Sequence, residues 1–466
     1  MRDTATGWAA PAAFSWLQVI LYERFGHDFL LQASVTGAIH LTHPSASAFI
    51  EIALDANTFS RADSDLPCAN WSAAAEGWQT ALAPTLPAPG ATSLHSPLIE
   101  KTPNGFRIHY DILGLTYWML SRQEEVGRTD LDEHRRFPAK ASHAFKWGYL
   151  ERPVVDEWLY ILGQVIQRTW PKLTLRTNQF SMKVSHDVDV PSSYGFRSAR
   201  VIARAMAADV LKRRDFKNAL LAPWVRLNSK TKLHPADPAN TFDWIMDVSE
   251  QHGLKSAFYF ICGRTDASKD ADYEPEHPAI RELMRRIHAL GHEIGLHPSY
   301  GSYQTPEIIV AEANRLRHIA AEEGIEQADW GGRMHYLRWE QPTTLQAWEQ
   351  AGMTYDSTLG YADRPGFRCG TCFEYPAFDP VAGRPLNLRI RPLIAMECTV
   401  MAPRYMGLGT EVGASEKFKQ LKEACKAVGG CFTLLWHNSE FSNAKTREMY
   451  VHINRSEAIA GGPMGE

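Results

Sequence analysis

The stretch Lys183-Val-Ser-His-Asp-Val-Asp-Val-Pro191 sets two carboxylates one residue apart at the end of an apolar run. Phe180, Met182 and Val184 alternate with polar neighbours, and Pro191 stops a ladder because it has no N–H to donate, so the spacing predicts a strand. Side chains on a strand alternate faces, which puts Asp187 and Asp189 on one side and His186 on the other. Two carboxylates at that distance repel. One stays protonated unless a cation lies between them and lets both ionise. The same residues also fit a charged strand end capping a turn, so chemistry depends on what else converges there.

The elements that would position them follow from periodicity. Ser256–Ile261 reads as a buried strand, Glu293–His297 as the next short strand and 431–437 as the last one, with helices expected over 278–290, 306–323 and 341–351. Such alternation predicts an α/β unit with a parallel sheet or barrel, in which sites form at the C-terminal ends of strands. Asp187, Asp189, His297 and His437 all fall at such ends. Earlier in the chain, Phe14, Trp16, Leu17, Ile20 and Leu21 recur at helical spacing before Gly26, a plausible C-cap. Asp111 can cap a helix carrying Ile112, Leu115, Trp118, Met119 and Arg122, and 154–170 reads as another helix after Pro153. Residues 171–178 have linker character. We therefore expect a smaller α+β domain over 1–178 and the α/β domain over 179–466. The run Asp132-Glu-His-Arg-Arg-Phe-Pro138 reads as a charged connection between helices, and no chemistry is assigned to it.

A net charge of −4 over 466 residues gives no basic field for nucleic acid. Seven cysteines, odd in number and scattered, do not form a disulfide framework, which points to a reducing, cytoplasmic setting. The apolar stretch over 14–25 is broken by Gln18, Glu23 and Arg24, unlike a signal-peptide core, and no run approaches the roughly 20 apolar residues of a membrane span.

Residues 180–440 resemble the polysaccharide deacetylase (NodB-homology) family. The motifs that carry the resemblance are Ser185-His-Asp-Val-Asp189, Gly291-His-Glu-Ile-Gly-Leu-His297-Pro-Ser, Gly332-Arg-Met-His-Tyr336 and Leu434-Leu-Trp-His437. The family fold is an irregular (β/α) barrel, and its members are metal-dependent hydrolases that remove acyl groups from amino sugars. Carried over residue by residue, the resemblance implies Asp187 as catalytic base, Asp189 and His297 as metal ligands, Arg333 as the residue orienting the base and His437 as general acid. It further implies a divalent metal, zinc before cobalt, nickel or manganese. The implied substrate is an amino-sugar glycan or an activated or lipid-linked sugar, in surface-polysaccharide or O-antigen synthesis. Segments 132–138 and 146–158 resemble a region that precedes deacetylase domains in some bacterial surface-polysaccharide proteins, with no implied activity.

One departure matters. The family's second motif has another histidine four residues after the first, where this chain has Gly301. His292 would lie on the opposite strand face from His297. His335, in the third motif, is the candidate third ligand, with substrate contact or a structural hydrogen bond as its alternatives. Two other functions stand beside deacylation. One is noncatalytic glycan binding on the same fold. The other is glycosidic hydrolysis, which needs carboxylates about 5 to 9 Å apart.

Cys369-Gly-Thr-Cys372 has no second pair to complete a zinc site and reads as a tight loop with buried thiols, while Arg368 beside it is a candidate contact for an acidic sugar or phosphate. Between 197 and 232, ten basic residues stand against Asp209 and Asp215, interleaved with Val201, Met206, Val210, Leu211, Phe216, Leu220 and Trp224. That is either a solvated helical insertion or a basic amphipathic face for peripheral membrane contact.

Overall fold

The computed structural model describes residues 8–35, 37–208, 210–211, 216–441 and 443–455. A nine-stranded sheet carries the second half. Its order is Tyr375–Asp379, Arg384–Ile390, Tyr355–Asp356, Gly331–Gly332, Glu293–His297, Ser256–Ile261, Ser181–Val188, Cys431–Leu435 and Ala395–Met396. All neighbouring pairs are parallel except Tyr375–Asp379 with Arg384–Ile390. The α/β class with a parallel sheet is thus as expected, while closure into a barrel is not defined by these pairings.

The expected helices are present as Pro278–Ala289, Pro306–Glu322 and Thr343–Gln350, the first two with proline in the opening turn. Ser256–Ile261 is buried at every position, as a parallel strand covered on both faces must be.

Register aligns the strand ends. Phe260 pairs with both Val188 and Leu296, and Leu296 pairs with Gly332, so Asp189, His297 and Arg333 each follow at one level of the sheet. Gly332 allows this closeness, since a Cβ there would meet the Leu296 carbonyl oxygen at 1.8 Å.

The first half holds a five-stranded sheet, Leu30–Ala33, Ala38–Thr42, Phe49–Ala53, Gly105–Ile108 and Ile99–Thr102, and a ribbon of Cys68–Trp71 with Leu86–Pro89. Helix Val154–Thr169 packs over them, with Trp158 stacked on Trp71 at 5.4 Å. Helix Pro11–Phe25 ends at Gly26, whose φ of 79° is the left-handed value a C-cap glycine supplies. One hydrophobic cluster runs across residue 178, from Trp8 to Ile453. Polar contacts cross as well: the Trp16 indole donates to the Pro376 carbonyl at 2.8 Å, and Gln341 donates to the Ser121 carbonyl at 2.7 Å.

Two sequence expectations are corrected. Asp111 does cap its helix, accepting from the Gly114 N–H, but the helix ends at Leu120. Arg122 lies beyond it with φ of 54°, buried between Glu124 and Glu125. Arg368 does not face a ligand. It is 2 % exposed and donates to both carboxylate oxygens of Glu125, because a guanidinium this deep must be paired. Cys369 and Cys372 are buried around Gly370, with the Cys372 N–H donating to Asp156.

Candidate active site

The aspartate strand alternates as its sequence requires. His186 points away from the cleft, its Nδ1 2.6 Å from the Trp436 carbonyl, and burial keeps its pKa down to about 3. Asp187 faces the cleft, where its Oδ1 accepts from Arg333 Nη1 at 2.8 Å. Arg333 is fully buried and fixed on every side. Nη2 donates to Ser185 Oγ at 2.8 Å and Ser357 Oγ at 3.1 Å, and Nε to the Ser357 carbonyl at 3.0 Å. One carboxylate oxygen of Asp187 is thereby held, and Oδ2 is left 3.7 Å from His297 Nε2.

Asp189, His297 and His335 offer ligand atoms within 4.8 Å of one another. Nε2 of His297 and of His335 lie 3.3 and 3.7 Å from Asp189 Oδ1, yet that oxygen is buried with no hydrogen-bond partner. The second ring nitrogens are engaged elsewhere: His297 Nδ1 is 2.6 Å from the Arg333 carbonyl, and His335 Nδ1 is 3.1 Å from Asp270 Oδ1. Both imidazoles so present Nε2 toward one carboxylate, an outer arrangement typical of metal-ligating histidines. An orphaned buried oxygen and a two-histidine, one-carboxylate donor set fit a divalent cation.

The electrostatics are of one kind. Burial acts to raise the Asp189 carboxyl pKa, but His335 and His297 beside it outweigh burial and hold it well below the carboxylate range. Burial acts to lower the His335 pKa, but Asp189 and Asp270 raise it to about 9. Two anions thus hold positive charge in the space between them.

His437 follows Cys431–Leu435 on the other side of the aspartate strand. Its Nδ1 is 2.5 Å from Glu397 Oε1 and its Nε2 3.7 Å from Asp189 Oδ2. Burial pulls its pKa down, and Glu397 more than reverses this, raising it well above the ordinary histidine value. His292 lies apart from the group, accepting from the Ser256 N–H at 3.1 Å. Gly301 sits against Thr265, whose Oγ1 accepts from its N–H at 2.7 Å.

Sequence reasoning missed Asp270, Glu397, Ser357 and Arg136. Asp270 and Glu397 carry no spacing signal, since each acts through a histidine remote in the chain. Arg136 comes from the segment to which no chemistry was assigned. It pairs with Asp132 at 2.7 Å and donates to the Tyr336 carbonyl at 2.8 Å. Arg338 donates to the His134 carbonyl at 2.9 Å. Tyr336 and Leu337 adopt φ of 60° and 55°, left-handed values that non-glycine residues hold only when surroundings impose them. The first half therefore braces the loop that presents His335. The cleft has a volume of ≈ 200 Å³ and is lined by Arg136, Tyr336, Arg404, Tyr405 and Glu440 besides the aspartates and histidines.

Comparison with known proteins gives limited matches. A family of unknown function (DUF7033) matches residues 14–171. No curated protein matches the chain. Among solved structures, similarity is found to a Mycobacterium smegmatis protein assigned as a polysaccharide deacetylase, with 16% identity, 60% of this chain, 83% of that one and a TM-score of 0.37. PuuE allantoinase is similar at 12% identity, 59% of this chain, 83% of that one and a TM-score of 0.34. Agd3, a carbohydrate deacetylase, is similar at 11% identity, 65% of this chain, 53% of that one and a TM-score of 0.31.

Proposed function

We propose that this chain is a metal-dependent carbohydrate N-deacylase that hydrolyses the amide C–N bond of an amino sugar. The observation that carries the reading is the convergence of Asp189, His297 and His335 within 4.8 Å around a buried, unpartnered carboxylate oxygen. These three residues would hold a divalent cation, zinc foremost. When bound, such an ion supplies Lewis acidity toward a water and toward the acyl carbonyl oxygen.

The residues on either side divide the proton transfers. Arg333 occupies Oδ1 of Asp187, so Oδ2 faces the cleft to accept a proton from the attacking water. As the water oxygen bonds to the acyl carbon and the C–N bond breaks, the nitrogen needs a proton, because an amine does not leave as an anion. His437 carries that proton on Nε2, kept there by Glu397 at Nδ1. Asp187 Oδ2 lies 3.7 Å from His297 Nε2 and His437 Nε2 lies 3.7 Å from Asp189 Oδ2, so base and acid both border the three residues that would hold the cation. The irregular barrel and the role in surface-polysaccharide synthesis rest on the motif resemblance.

The test is elemental analysis of purified protein beside an assay for free amine on N-acetylated amino-sugar oligosaccharides. We expect about one divalent ion per chain and metal-dependent amine release. Protein that takes up no Zn, Co, Ni, Mn or Fe on titration would overturn the reading and leave noncatalytic glycan binding.

A further inference from the structure

We propose that the two-helix insertion between Ser192 and Asp237 is a docking surface for an anionic lipid bilayer. It comprises helices Ala199–Ala208 and Phe216–Asn228. Their inner faces are accounted for: Ile202, Ala222 and Val225 are buried together with Tyr194, and Met206 and Leu221 pack against them. The outer face is not. Leu220, Trp224 and Leu227 recur at i, i+4 and i+7, one face of a helix, and are 73%, 59% and 65% exposed. Leu211, between the helices, is 80% exposed.

Charge chooses the occupant. Residues 197–232 hold ten Lys and Arg against two Asp, in a chain whose total charge is −4. Arg200, Arg204 and Lys230 are exposed on the described part of the insertion. An apolar face of Leu and Trp on a segment rich in Lys and Arg is the composition that lies in a membrane interface. The rings and aliphatic groups enter the acyl boundary while the cations meet anionic headgroups. A protein partner would need its own acidic rim around an apolar groove, whereas an anionic leaflet supplies both everywhere.

The insertion is also tied to the catalytic rim. Asp237 accepts from Ser192 Oγ and the Ser193 N–H, closing its root. Asn438, next to His437, donates to the Val190 and Ala239 carbonyls at 2.9 and 2.8 Å.

The test is co-sedimentation of the full chain with phosphatidylcholine vesicles and with vesicles containing about 30% phosphatidylglycerol, with and without about 0.5 M salt. We expect binding to the anionic vesicles at least about tenfold tighter than to neutral ones, lost in high salt. Trp224→Glu should abolish it, and Arg200→Glu with Arg204→Glu should weaken it several-fold. Both variants should keep the wild-type melting temperature. Wild-type protein that ignores anionic vesicles, or Trp224→Glu protein that binds them unchanged, overturns the proposal. So does light scattering that shows a homodimer dissolved by Trp224→Glu, since the face would then be covered by a second copy. Asp187→Asn protein is expected to bind the same vesicles, so failure of the catalytic reading and failure of this one are separable.

Discussion

Asp270 Oδ1 lies 3.1 Å from Nδ1 of His335, whose Nε2 is 3.7 Å from Asp189 Oδ1. The carboxylate fixes which nitrogen faces the candidate metal position. His335→Ala should weaken metal affinity about 10- to 100-fold or more, as His297→Ala should, whereas His292→Ala should not. Asp270→Asn, which keeps the shape but not the charge, should fall between. Competition with a chelator under calorimetry measures all four, and unchanged affinity in His335→Ala removes that residue from the ligand set.

Asp187 and Asp189 are identical side chains with different neighbours. Asp189→Asn should lose metal, because an amide oxygen is a neutral and weaker donor, while Asp187→Asn should keep it and lose turnover by about 10²-fold or more. Metal content measured beside amine release decides the matter. The reverse outcome exchanges the two roles.

Glu397 raises the His437 pKa by contact at 2.5 Å. Protonated His437 is required, so activity falls as pH rises through its pKa. Removing the anion with Glu397→Gln destabilises the imidazolium, so the alkaline limb of the kcat profile should move to lower pH at unchanged metal content. The maximal rate should drop about 10-fold or more. A profile that does not move dissociates Glu397 from proton delivery.

Glu312 is buried beneath the loop after His297, accepting from Ser299 N–H and Oγ, and burial raises its pKa to about 7. The folded chain therefore holds a proton that the unfolded chain releases nearer the ordinary glutamate value. The stability it contributes is complete below that ordinary value and is lost as pH rises through about 7. Urea unfolding of wild type and Glu312→Gln across this window should diverge with pH, by about 3 kcal/mol, with the variant the flatter. Parallel curves would mean that Glu312 is ionised in the fold.

Arg368 and Arg122 both bind Glu125 in the interior. Arg368→Ala should cost about 3 to 5 kcal/mol of stability by leaving part of that charge unpaired, and thermal unfolding measures it. A variant with normal stability and a raised KM would restore the substrate-contact reading that burial argues against.

What the sequence by itself determined is local and periodic. The alternation of Phe180, Met182 and Val184 set the aspartate strand, and period two put Asp187 and Asp189 on one face with His186 opposite. Proline and glycine punctuation marked helices such as Pro278–Ala289 to within a residue or two. Apolar strands between those helices carried the parallel sheet, because both faces of such strands must be covered. What only the tertiary structure decided is every pairing of groups far apart in the chain. Asp270 meets His335 across 65 residues, Glu397 meets His437 across 40, and Arg136 reaches Tyr336 across 200. Hydrogen bonds of this kind leave no period in a sequence, because the residue type of one partner does not constrain where in the chain the other lies. Arg368 shows the same limit from the other side: its charge reads as a contact for an acidic sugar or phosphate, and only the fold, by closing Glu125 over it, makes it part of the interior.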